Sequence, residues 1–162
     1  MKKILVAEDT ESNFLLLSII LRKDYEILRA FNGAEAVEIC RAEHPDLILM
    51  DIKMPVMDGL EATKVIRTFN EEIVIIALTA NAYDSDREKA YLAGCNNYMA
   101  KPVMAAKLRE MIHSYLGLSY GSAYLFPSTV IFVFSYEIEK AFNDIYIHEQ
   151  KVIRNIEQFV FY

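Results

Sequence analysis

Leu47-Ile48-Leu49-Met50-Asp51-Ile52-Lys53-Met54-Pro55-Val56-Met57-Asp58-Gly59 is the stretch that decides the fold. Its first four residues are an unbroken apolar run, the pattern of a strand buried on both faces of a parallel sheet. A carboxylate ends the run. A turn carrying Pro and Gly follows, and the residues from Leu60 to Phe69 then predict a helix. The same strand–polar end–helix unit recurs on both sides. Upstream, Ile4-Leu5-Val6-Ala7 and Tyr25 to Ala30 read as strands. Helices are expected at about Ser12–Arg22, with an apolar stripe of Phe14, Leu15, Leu17, Ser18 and Leu21, and at Gly33–Ala42, stopped before His44-Pro45. Downstream, Ile73 to Leu78 and Asn97 to Ala100 are strands. Ser85–Leu92 and Met104–Leu116 are helices, with Gly94 a left-handed cap after the first. Five such units predict an α/β fold, a doubly wound five-stranded parallel sheet with helices on both faces. Ligands of such sheets bind beyond the carboxyl ends of the strands, where strand order reverses.

The polar residues fall on that edge. Glu8 and Asp9 end the first strand, Asp51 the third, Thr79 the fourth and Lys101 the fifth. Clustered carboxylates raise one another's pKa values unless a cation intervenes. Oxygen donors with no His or Cys beside them suit Mg²⁺, a hard cation that keeps several waters. A hydroxyl from Thr79 and an ammonium from Lys101 suit a phosphoryl group held at the same place. Taken singly, each residue has a duller reading: a strand-end carboxylate is usually a helix cap, and a lysine there a surface charge. That reading would have to hold at five places on one rim together.

With these residues placed, residues 1–117 resemble the response-regulator receiver family of two-component signalling over their whole length. The matching motifs are Ile4-Leu5-Val6-Ala7-Glu8-Asp9, Asp51 through Gly59, Ala77-Leu78-Thr79-Ala80, and Gly94-Cys95-Asn96-Asn97-Tyr98-Met99-Ala100-Lys101-Pro102. The resemblance implies a flavodoxin-like sheet in the order 2-1-3-4-5, with Asp51 as phosphoacceptor. It makes Asp9 and Asp51 direct Mg²⁺ ligands, Glu8 a ligand through a metal-bound water, and the Lys53 backbone carbonyl the remaining protein ligand. Thr79 and Lys101 would sense the phosphoryl group, the Tyr98 ring would swing inward as Thr79 moves, and the Lys101-Pro102 bond would be cis. Glu8 stands where the family often has Asp. The implied function is a Mg²⁺-dependent switch in a phosphorelay. It takes a phosphoryl group from a partner histidine kinase or phosphotransfer protein, and is a substrate and switch more than an enzyme, with slow self-dephosphorylation. The motif style of Pro55 to Ala62 and Leu78 to Ala82 looks closest to receivers attached to hybrid histidine kinases. Two rivals fit less well. An aspartyl phosphatase of the haloacid dehalogenase class needs a second Asp two residues after the nucleophile, where Lys53 stands. A flavodoxin needs a phosphate-cradling loop where Glu8-Asp9-Thr10-Glu11 would repel phosphate.

Composition narrows the partners. A net charge of −6 and no Lys/Arg cluster argue against a nucleic-acid surface. The apolar stretch Ala123 to Phe134 is interrupted by Pro127, Ser128 and Thr129 and is too short for a membrane span. A cytoplasmic protein is expected, with Cys40 and Cys95 as reduced, half-buried thiols and His44, His113 and His148 solvated. Leu116-Gly117-Leu118-Ser119-Tyr120-Gly121-Ser122 reads as a helix stop and connector, and aromatic residues crowd the part after it. The expected organisation is a receiver domain at 1–117 and a C-terminal extension at 118–162, an apolar segment followed by a helix from about Glu137 to Phe161. A stripe on that helix predicts a homodimer through 118–162. Folding back onto the chain's own receiver would bury the same stripe, and a tail foreign to the family is a third reading.

Overall fold

The computed structural model describes residues 1–80 and 84–117. The readings made for 118–162, and for the loop residues 81–83, lie outside the described residues. Five strands and five helices alternate: β1 (Lys3–Ala7), α1 (Glu11–Leu21), β2 (Glu26–Ala30), α2 (Gly33–Glu43), β3 (Leu47–Asp51), α3 (Gly59–Arg67), β4 (Val74–Thr79), α4 (Asp84–Ala93), β5 (Asn97–Ala100) and α5 (Ala105–Leu116). The strands form one parallel sheet in the order β2-β1-β3-β4-β5. Strand order reverses at β1 and β3, so the ends of these two neighbours flank the crevice where such sheets hold ligands.

Both faces of the sheet are covered, which is why its central strands read as continuous apolar runs. Alternate residues go to opposite sides. Leu5, Ala7, Ile48, Met50, Ile75 and Ala77 pack with Ala36, Cys40, Ala62, Ile66 and Ala90 from α2, α3 and α4. Ile4, Val6, Leu47, Leu49, Ile76 and Leu78 pack with Leu17, Ile20, Leu21, Leu108 and Ile112 from α1 and α5.

Several local expectations shift. The buried face of α1 is Leu17, Ile20 and Leu21, whereas Leu15 is 49% exposed. Phe14 is half-buried against the α1/α5 core. The second strand starts at Glu26 because the Tyr25 N–H turns back to the Leu21 carbonyl, 3.1 Å away, and closes the end of α1. Both thiols are buried, at 2% for Cys40 and 6% for Cys95, and burial raises both pKa values. His113 is half-buried rather than solvated, while His44 is exposed and caps α2 in a left-handed conformation. Among the described residues, no helix is long and apolar enough to cross a membrane.

Candidate functional site

The pairing of β3 with β4 runs through Asp51, which lies opposite Leu78, so this carboxylate is carried by the sheet itself. One residue on, the Ile52 N–H donates to the Leu78 carbonyl at 3.0 Å. On the other side, the chain leaving β1 is stitched to β2 by the Glu8 N–H, 3.0 Å from the Ala30 carbonyl. The Lys101 N–H donates to the Thr79 carbonyl at 2.7 Å, which ties the ends of β4 and β5 together, and the Lys101-Pro102 bond is cis. Main-chain hydrogen bonds therefore set the positions of four of the five rim residues.

Their side chains converge. Lys101 Nζ donates to Glu8 Oε2 at 2.6 Å and to Asp51 Oδ2 at 2.8 Å. The other Asp51 oxygen accepts the Lys53 N–H at 3.1 Å. Glu8 is fully buried and Asp51 nearly so, while Asp9 is exposed. Each of Glu8, Asp9 and Asp51 offers an oxygen within 4.8 Å of the others. Burial pushes the Asp51 carboxyl above its ordinary pKa and Glu8 adds to the rise, while Lys101 and the Lys53 N–H oppose it. For Lys101, burial acts to lower the pKa, but Asp51 and Glu8 outweigh it and hold the ammonium above its usual value. Three carboxyl groups beside one ammonium make a donor set of oxygen. That combination fits a hard divalent cation such as Mg²⁺ better than a second lysine would. Thr79 is buried at the end of β4. Tyr98 on β5 lies opposite Ala77 of β4; its ring meets Tyr91 edge-on at 6.2 Å, with the Arg87 guanidinium 5.4 Å from its centroid.

Residues 4–113 match the response regulator receiver domain. The chain belongs to that family. A polar-differentiation response regulator, DivK, from Brucella ovis is 41% identical over 119 residues, covering 72% of this chain and 97% of that protein. Among solved structures, the receiver domain of the sensor histidine kinase PA1611 from Pseudomonas aeruginosa, with a magnesium ion coordinated in its active site cleft, is 38% identical. Its TM-score is 0.68, and the match covers 72% of this chain and 98% of that one. A Saccharomyces cerevisiae complex holds the histidine phosphotransfer protein Ypd1 with the receiver domain of its downstream response regulator Ssk1. It matches at 34% identity and a TM-score of 0.69, over 76% of this chain and 94% of the matched chain. The protein is thus a receiver, a phosphoacceptor signalling domain of two-component systems, and its relatives include both a response regulator and the receiver domain of a sensor histidine kinase.

In this receiver, the residues singled out from sequence at the strand ends are all on the rim. Sequence reading missed the residues that hold them there. Asn13 donates from α1 to Glu8 Oε1 at 3.0 Å, and the Thr10 N–H reaches the same oxygen at 3.3 Å. Arg29 pairs with Glu11 at the start of α1, its guanidinium stacked between Phe14 and Phe31 at 4.1 Å from each ring. A polar residue in the first turns of a helix looks solvated in a sequence, and only the distance to Glu8 marks Asn13 as different. Asp58, which stands within the matched motif, is an N-cap: its Oδ1 accepts the N–H groups of Leu60 and Glu61, both at 2.8 Å.

Proposed function

We propose that this receiver takes a phosphoryl group onto Asp51 from the phosphohistidine of a partner kinase or phosphotransfer protein. The observation that carries the reading is the Asp51 carboxylate at the end of β3, with Lys101 Nζ 2.8 Å away and Glu8 and Asp9 beside it. An Asp51 oxygen attacks phosphorus as the phosphorus–nitrogen bond breaks, and the imidazole leaves with the electron pair. Lys101 turns from its carboxylate partners toward the phosphoryl oxygens, and the Thr79 hydroxyl donates to another. Asp9, Asp51 and the Lys53 carbonyl would hold Mg²⁺, with Glu8 supporting the site beside them. When bound, that ion neutralises charge on the phosphoryl oxygens during in-line transfer. The magnesium ion in the cleft of the Pseudomonas aeruginosa relative and the phosphotransfer protein bound to the yeast relative support this reading.

The acyl phosphate formed is hydrolysed slowly at the same site, so the chain acts as a switch more than as an enzyme. New contacts from Thr79 and Lys101 favour a second arrangement of the segment from Thr79 into α4 and of β5, which carries Tyr98, a shift between two populations. The working unit is 1–117, a cytoplasmic domain, and 118–162 pairs it with a second copy. Acetyl phosphate with Mg²⁺ should add one phosphoryl group, about 80 Da by mass spectrometry, through activated carboxylate chemistry. Asp51→Asn should abolish the addition; equal labelling of that variant would overturn the assignment.

A further inference from the structure

Glu8 is the most enclosed member of the acidic cluster, with no exposed surface. A buried carboxylate is held in place only if both oxygens find donors. Here the two oxygens have separate partners. Oε2 takes Lys101 Nζ, and Oε1 takes the Asn13 side-chain amide at 3.0 Å and the Thr10 N–H at 3.3 Å. Asn13 is the one side chain among these three donors that carries no charge and that the proposed phosphoryl chemistry does not use. It reaches Glu8 from α1, and the start of that helix is itself fixed by the Glu11–Arg29 pair between two phenyl rings. A glutamate is one methylene longer than an aspartate, with one more rotatable bond to fix. The amide from α1 removes that freedom on the side away from Lys101.

We propose that Asn13 is a positioning residue for the cation site: it fixes the Glu8 carboxylate so that the acidic cluster is set for a divalent ion before the ion arrives. The inference rests on the cation reading above. Partners of this kind, one step removed from a metal, change affinity by about 10- to 100-fold when removed. Alanine is a better helix former than asparagine, so Asn13→Ala leaves α1 at least as stable by propensity.

The experiment is a Mg²⁺ titration of the full chain by NMR, on wild type, Asn13→Ala, Glu8→Ala and the double variant, with thermal midpoints measured alongside. Asn13→Ala should weaken Mg²⁺ binding by about 10-fold while the apo protein stays folded, the Thr10 N–H still serving Glu8 Oε1. In the Glu8→Ala background the same change should do nothing further, since Asn13 acts through Glu8. An unchanged Mg²⁺ affinity in Asn13→Ala, or the same loss with and without Glu8, overturns the inference. A fall in the apo midpoint that is the same with and without Glu8 also overturns it, by assigning Asn13 a structural role apart from Glu8. Wild-type protein that binds no Mg²⁺ would instead sink the cation reading itself, so the two failures are told apart.

Discussion

Gly59 begins α3 directly beneath Asp51, the proposed phosphoacceptor. A Cβ there would lie 2.0 Å from the Asp51 carbonyl oxygen and 2.9 Å from Met50 Cγ, and the Gly59 N–H already donates to the Ile52 carbonyl at 3.0 Å. Backbone cannot move aside as a flexible side chain can, so Gly59→Ala must displace either α3 or the end of β3. Overpacking of this sort costs about 1–3 kcal/mol. The expected result is a lower urea midpoint together with slower labelling of Asp51 by acetyl phosphate; unchanged values for both would show that the contact relaxes freely. At this scale the sequence showed residue types well and reasons poorly. Asp51, Thr79 and Lys101 were legible because a charged or hydroxyl side chain ending an apolar run is conspicuous. The need for glycine at 59 was legible only as part of a matched motif, because its cause is an approach between chain segments that sequence spacing does not encode. Asn13 was not legible at all, since its partner is five residues away across a turn and its type is ordinary for a helix start.

At the scale of elements, strands were easier to read than helix faces. The apolar runs of β1, β3 and β4 are bounded by polar residues or turns, and burial on both sides makes these runs continuous. In α1 the residues Leu15, Leu16, Leu17, Ile19, Ile20 and Leu21 are apolar almost all round, so periodicity could not tell that Leu15 and Ile19 face outward. Packing between α1, α5 and the sheet makes that choice. The sheet's two ends also differ in task. At the end opposite the acidic cluster, Asp46 Oδ2 accepts the Lys3 N–H at 2.8 Å and Oδ1 accepts Lys2 Nζ at 3.1 Å, pinning β1 to the start of β3. Burial works to raise the Asp46 pKa, but the Lys3 N–H and Lys2 outweigh it and the carboxyl ends below its ordinary value. A folded-state pKa below the unfolded one gives stability that is present above the unfolded pKa and fades as pH falls through the folded one. Asp46→Ala should therefore lower stability at neutral pH by about 1 kcal/mol or less, the side chain being about a third exposed. The gap between variant and wild type should close in acid, below the ordinary carboxylate range; a gap that stays constant down to that range would mean packing, not charge, is responsible.

The switch belongs to the same scale, because it concerns two neighbouring strands. Thr79 lies opposite Ala100, and Tyr98 lies opposite Ala77, so two rungs of the β4–β5 pairing separate the hydroxyl from the tyrosine. Tyr98 is half-buried and holds aromatic and cationic contacts with Tyr91 and Arg87 of α4. Any movement of β4 against α4 is therefore felt at its ring. Thr79→Ala should still accept the phosphoryl group on Asp51, since the attacking carboxylate and Lys101 remain. It should lose most of the change in Tyr98 ring resonances expected when the wild type is phosphorylated. A full-sized Tyr98 response in Thr79→Ala would disprove the coupling.

For the whole molecule, the open question of assembly rests on sequence, because 118–162 lies outside the described residues. Ile138, Phe142, Ile145, Glu149, Val152, Ile156 and Phe159 are spaced 4, 3, 4, 3, 4, 3, a heptad seam interrupted once, by Glu149. A helix with such a stripe must bury it, and the Thr129 to Phe134 run before it is β-prone and would invite aggregation if left bare. A second copy of the chain satisfies both needs at once, whereas folding back would have to find an apolar face on the receiver. The seam therefore predicts a homodimer that forms whether or not Asp51 is phosphorylated. Multi-angle light scattering at tens of micromolar should give twice the chain mass for the full protein and a monomer for residues 1–117. A monomeric full-length protein, or a 1–117 fragment that dimerises as well as the whole, would place the stripe elsewhere and remove 118–162 from the assembly.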